Sequence, residues 1–201
     1  MSLFFIAITA IVSFLAFNRT DLFDKLKFNA YAIHHNKEWY RFFSYGLVHA
    51  DLMHLLINMF VLYSFGDIVQ QFFVYHFQFK AYIFFALLYI GGIAFSSLFD
   101  YGKYKNDSLY NAVGASGAVS AIVFASIILY PAGKIFLFFI PIGIPAPIFG
   151  LLYLVYSAYM AKKGTDNIGH SAHFWGAVYG VVFTIAIKPE FFKLFWEQLF
   201  N

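Results

Sequence analysis

Two side chains in this sequence are suited to acyl-transfer chemistry and stand where an apolar chain should have neither. Ser116 lies in Gly114-Ala115-Ser116-Gly117, and His173 ends Gly169-His170-Ser171-Ala172-His173. Each motif opens a long apolar stretch, and a polar side chain inside a membrane segment is costly enough to require a reason. An imidazole within hydrogen-bond reach of a serine hydroxyl takes its proton as general base and later returns it to a leaving amine. That is the logic of a serine hydrolase without the acid of a full triad. Asp166 falls seven residues before His173, in a loop, so the economical reading is a dyad.

A third cluster, His49, His54 and Asn58, precedes another apolar stretch or lies within it. His54 and Asn58 are four residues apart and share one helical face. An imidazole and a carboxamide can donate to a tetrahedral intermediate, and the backbone amide of Ser116 at a helix N-terminus adds a third donor. His49, five residues before His54, reads as a structural hydrogen-bonder. Metal chemistry is a weaker reading. A zinc protease wants His-Glu-x-x-His, and no glutamate neighbours His49 or His54. An aspartyl protease needs two buried acids, whereas Asp67 has no partner. Cysteine is absent, which removes a thiol nucleophile.

These residues must be held by helices in lipid. The 201 residues are 62% hydrophobic and only 11% charged. A soluble domain carries about 25% charged residues, so this chain cannot cover a water-facing surface. The abundance of Phe and Tyr fits lipid-facing and interfacial surface. The net charge of +3 and the lack of a basic run exclude nucleic acid as an obvious partner. Six stretches approach the ~20 apolar residues a spanning helix needs, at about 3–17, 52–73, 81–99, 111–130, 146–160 and 169–187. A single all-α, six-span domain over 1–201 is therefore expected. The first stretch lacks a basic leader and a cleavage site, so it is read as a retained span.

Residues 18–48 mix basic and aromatic side chains and predict a first loop lying in the membrane interface. Residues 135–145 are apolar but broken by Pro141, Gly143 and Pro145, which predicts a re-entrant or interfacial connector. The tail, 189–201, puts Phe192, Phe195, Trp196 and Leu199 opposite Lys193 and Glu197, as an amphipathic surface helix would. Spans four and six start from the same side and so run parallel. Gly117, Ala121 and Ala125 make a small-residue ladder on one, and Ala172, Gly176 and Gly180 make another. Facing ladders let two helix backbones close up in lipid, which would bring Ser116 and His173 together.

The sequence resembles the rhomboid family of intramembrane serine proteases, in its minimal six-span bacterial form. The resemblance rests on four pieces in order: Trp39-Tyr40-Arg41, His49-x4-His54-x3-Asn58, Gly114-Ala115-Ser116-Gly117, and Ala172-His173-x2-Gly176-x3-Gly180. It implies a rhomboid-like bundle, Ser116 as nucleophile, His173 as base, and His54 and Asn58 at the oxyanion site. Arg41 would organise the first loop. No cofactor and no metal are implied. The implied partners are transmembrane protein substrates and the lipid bilayer. Some members carry an aromatic four residues after the nucleophile, stacked on the histidine. Here that position is Ser120, and a Tyr or Trp from elsewhere, such as Trp175, is expected to substitute.

The function so implied is hydrolysis of a peptide bond in or near a substrate's transmembrane segment. Two other readings carry different signatures. A catalytically silent client binder usually lacks the Ser or the His, and a small transporter relaying protons through histidines needs no covalent chemistry at Ser116. The resemblance also implies a bacterial inner (plasma) membrane, a cytoplasmic N-terminus and a site opening to the extracytoplasmic side. The basic residues oppose that orientation: nine of 13 Lys and Arg fall in the odd-numbered connections, which the positive-inside rule would keep in the cytoplasm.

Overall fold

The computed structural model describes residues 1–136, 141–164 and 168–200. Part of the 135–145 connector, Asp166 and residue 201 lie outside the described residues.

Helix α1 (Ser2–Phe17) is followed by three short helices, α2 (Thr20–Leu26), α3 (Ala30–Asn36) and α4 (Arg41–Ser44). Then come α5 (Leu52–Phe77), α6 (Ala81–Tyr104), α7 (Ser116–Leu129), α8 (Ala146–Lys163), α9 (His170–Ile187) and α10 (Glu190–Phe200). Between α7 and α8, β1 (Lys134–Phe136) pairs antiparallel with β2 (Gly143–Pro145). The described ends of the apolar connector thus pair with each other, which satisfies backbone groups that could not otherwise face lipid.

Helix α7 is the axis of the bundle. Its residues from Gly117 to Leu129 are all buried, whereas its neighbours show one apolar face outward. Leu3, Ile11 and Leu15 of α1, Leu56 and Phe60 of α5, and Leu151 and Val155 of α8 are exposed. An apolar surface this continuous needs lipid to cover it. By length and composition, two stretches among the described residues suffice to cross a membrane, Leu52–Tyr104 and His170–Ile187. Ser2–Phe17 and Ser116–Leu129 are shorter apolar helices.

Contacts fix the directions of the six long helices. His49, just before α5, meets Ser13 near the end of α1, and Gly66 of α5 meets Ser2 at its start, so α1 and α5 are antiparallel. Helix α6 descends α7, with Ser96 on Gly117 and Gly92 on Ala121. Helix α8 does the same, with Tyr153 on Ser120 and Gly150 on Ile127 and Phe124. Helix α9 runs with α7: Gly176 meets Gly117 and Gly180 meets Ala121.

The starts of α5, α7 and α9 share one end of the bundle, and α2–α4 pack over that end. Arg41 ties this layer down, donating through Nη1 to the carbonyls of Asp24 (2.8 Å) and Lys27 (2.7 Å) and through Nε to Glu38 (2.6 Å). Phe28, fully buried, exchanges both backbone hydrogen bonds with Ala112. Residues 111–115, expected to begin the fourth span, are instead the loop held by this pairing, and α7 starts at Ser116.

Candidate active site

Ser116 is the first residue of α7, so its N–H belongs to the first turn, where amides have no intrahelical acceptor. The first intrahelical bond of the turn is donated by Val119 to the Ala115 carbonyl. His173 lies in the first turn of α9. The level of the two is set by the α7–α9 seam. A Cβ added at Gly176 would fall 2.1 Å from the Gly117 carbonyl oxygen, and one at Gly180 would fall 2.2 Å from that of Ala121. No side chain fits either place, so the two backbones touch, as the ladders predict. Gly117 faces Ala172, the residue before His173, from the other direction. Ser116 and His173 are both partly exposed.

The site is recessed. Gly117 packs on Ser96, and α6 continues eight residues past Ser96 to Tyr104. At 1.5 Å per residue that places Ser116 about 12 Å below the end of α6.

His54 is brought to the same place from α5. Asp51 caps that helix, its Oδ1 accepting from the His54 N–H at 2.8 Å. The His54 ring lies against Gly114, where an added Cβ would be 2.5 Å from Cε1. Gly114 has φ of +108°, a conformation that L side chains rarely adopt. Glycine is therefore required there twice, by the turn and by the ring. Asn58, buried one turn below His54, donates one N–H to the His54 carbonyl at 3.0 Å.

His49 holds the loop before Ser116. The Ser13 hydroxyl donates to the Leu47 carbonyl (2.9 Å), so it accepts from His49 Nδ1–H (3.0 Å). That leaves Nε2 as the acceptor for the Ala115 N–H at 3.3 Å. Only a neutral imidazole can make both bonds. Full burial, with His54 beside it, pushes His49 down to about 3.

A family model described as the Rhomboid domain matches residues 36–190, more than three-quarters of the chain. The chain belongs to the rhomboid family. Rhomboids are membrane-embedded, which accounts for the apolar exterior. The sequence is also similar to RHOMBOID-like protein 12, mitochondrial, of Arabidopsis thaliana, with 32% identity over 154 residues. That match covers 72% of this chain and 45% of the relative, so the chain spans about half the length of the curated relative it matches.

The rhomboid motifs, scattered over 140 residues of sequence, converge on one end of the bundle. Trp175 does not take the place beside His173 expected for it: it stacks on Phe99 of α6, with centroids 3.4 Å apart. The ring stacked on His173 is Tyr153 of α8, at 6.2 Å and 22° between planes. Its hydroxyl is 2.7 Å from that of Ser120. Nothing in the sequence singles Tyr153 out among 15 tyrosines; only the register of α8 on α7 does. His170, the first residue of α9, is buried and lies edge-on to Tyr156 and His173. Among the described residues, no three His, Cys, Asp or Glu are grouped to hold a metal ion.

Proposed function

We propose that this rhomboid is an intramembrane serine endopeptidase working through a Ser116–His173 dyad, its six long helices all crossing the bilayer. Ser116 Oγ attacks the carbonyl carbon of a peptide bond in or near a substrate's transmembrane segment, and His173 takes the hydroxyl proton. The oxyanion is met by the Ser116 amide, His54 and the N–H of Asn58 not given to the His54 carbonyl. Collapse of the tetrahedral species expels the amine with the proton from His173, and water then hydrolyses the acyl-enzyme by the same steps.

The observation that supports this reading is the backbone contact between Gly117 and Gly176, since Ser116 and His173 each lie within one turn of it on parallel helices. Recession into the bundle supports a substrate that comes from the bilayer. The substrate helix must unwind first, because a helical peptide bond is hydrogen-bonded and shielded from a nucleophile. No cofactor takes part. The membrane proposed is a bacterial inner membrane, with the site on the extracytoplasmic side.

The test is cleavage of a model transmembrane substrate by wild type, Ser116→Ala and His173→Ala in lipid. The reading requires cleavage by wild type alone. An intact substrate with wild type, or cleavage that survives Ser116→Ala, rejects it. For orientation, a reporter fused at the C-terminus must read cytoplasmic; an external reading would side with the basic-residue count.

A further inference from the structure

Backbone packing sets the height of His173 but not the plane of its ring. The χ2 torsion of histidine is broad and roughly two-fold, so an imidazole at the right height can still aim its nitrogen away from Ser116. Tyr153 supplies a constraint. Its ring lies beside the His173 ring, nearly parallel at 22° with centroids 6.2 Å apart, within the range of offset-stacked pairs. The Tyr153 ring is in turn fixed by Phe124 of α7 (5.6 Å) and by Phe149 one turn earlier on α8 (5.8 Å). Its hydroxyl ends on Ser120 Oγ. Ser120 is buried and stands one helical turn after Ser116 on the same helix. The nucleophile's helix thereby reaches round through α8 to the face of the base on α9.

We propose that Tyr153 and Ser120 form a positioning pair that sets the plane of the His173 imidazole for proton transfer at Ser116, an inference resting on the protease reading. The hydroxyl pair has a second property. In so apolar a place, a hydroxyl deprived of its partner is left unsatisfied. Removing one hydroxyl therefore disturbs the pair more than removing both.

Three measurements test it. Tyr153→Leu should lower kcat by about 10- to 100-fold, the scale on which small misplacements of reacting groups act, while KM changes less than about 2-fold. Tyr153→Phe keeps the ring and should recover most of that loss. Ser120→Ala and Tyr153→Phe should be non-additive, the double variant being no worse than either single one. The third readout needs no turnover: the 1H–13C resonances of the His173 imidazole should shift in Tyr153→Leu and stay near the wild-type position in Tyr153→Phe. Unmoved resonances, a loss confined to KM, or additive effects of the two hydroxyls would overturn the proposal. If wild type fails to cleave, the protease reading falls. The imidazole resonances still decide whether Tyr153 sets the ring.

Discussion

Helix α7 meets α9 and α8 in opposite ways. Toward α9 it presents Gly117 and Ala121, and the contact is backbone on backbone with no room for a methyl group. Toward α8 it presents Ser120 and Phe124, and the contact runs through the rings of Tyr153 and Phe149 and past Gly150. The first contact is stiff because no rotamer can relieve it, and it sets where Ser116 and His173 stand. The second passes through side chains that can turn, and it brings the Tyr153 ring to His173, where we propose that it sets the aim of the imidazole. In the proposed dyad, position and aim are thus built by separate faces of one central helix.

Substitutions should separate the two faces. The largest effect is expected from Gly176→Ala, whose new Cβ would collide with the Gly117 carbonyl. The seam must open, costing about 3 kcal/mol, the upper part of the usual overpacking range, and abolishing cleavage. A variant of wild-type activity would mean the backbones do not touch.

A second effect comes from His49, which holds the Ala115 amide from a third side. Its imidazole stays neutral down to about 3 in the fold, whereas an unfolded histidine takes a proton near 6.5. The folded pKa is the lower one, so the unfolded state binds the extra proton. Stability contributed by this group is complete above about pH 6.5 and is lost as pH falls, at up to about 1.4 kcal/mol per unit. Thermal unfolding of wild type and His49→Gln between pH 4 and 7 should show a steeper acid loss in wild type. Parallel curves would contradict it.

A smaller effect is expected in the first loop. Arg41 holds the Glu38 carboxyl below the usual carboxylate range. Its folded pKa is depressed, so its contribution is present at neutral pH and lost as pH falls below about 4. Glu38→Gln should cost up to about 1 kcal/mol at pH 7, the upper end for an ion pair near the surface, and the deficit should shrink in acid. The smallest effect should be Gly150→Ala on the α8 face. The nearest atom to its new Cβ is the Cδ1 tip of Ile127, at 3.2 Å. A tip can give way, and alanine favours helix over glycine by up to about 1 kcal/mol. Stability within about 0.5 kcal/mol of wild type is expected, set against the collapse at Gly176.

The seam was legible in the sequence because it is periodic. Small residues every fourth position have one use in lipid, and polar groups beside them are too costly to be accidental. His54 and Asn58 could be read the same way, from one helical face. The start of α7 could not. Residues 111–115 are apolar enough to continue a helix, and what stops them is pairing between Ala112 and Phe28 and hydrogen bonds from Asn29 to Ser108, Tyr110 and Asn111, some 80 residues away. Ser13 gave no sign of reaching His49, for the same reason. Tyr153 was hidden differently: in a chain this rich in tyrosine an aromatic residue carries little information, and its role follows from tertiary register alone.

The proposed dyad is tested most directly at Ser116. Wild type in lipid, treated with a serine-directed phosphonate and examined by peptide mass spectrometry, should carry one adduct, on Ser116. His173→Ala should slow labelling by at least about 100-fold, on the scale of general-base catalysis. Adducts elsewhere, or labelling of Ser116 at the same rate without His173, would contradict a Ser116–His173 active site.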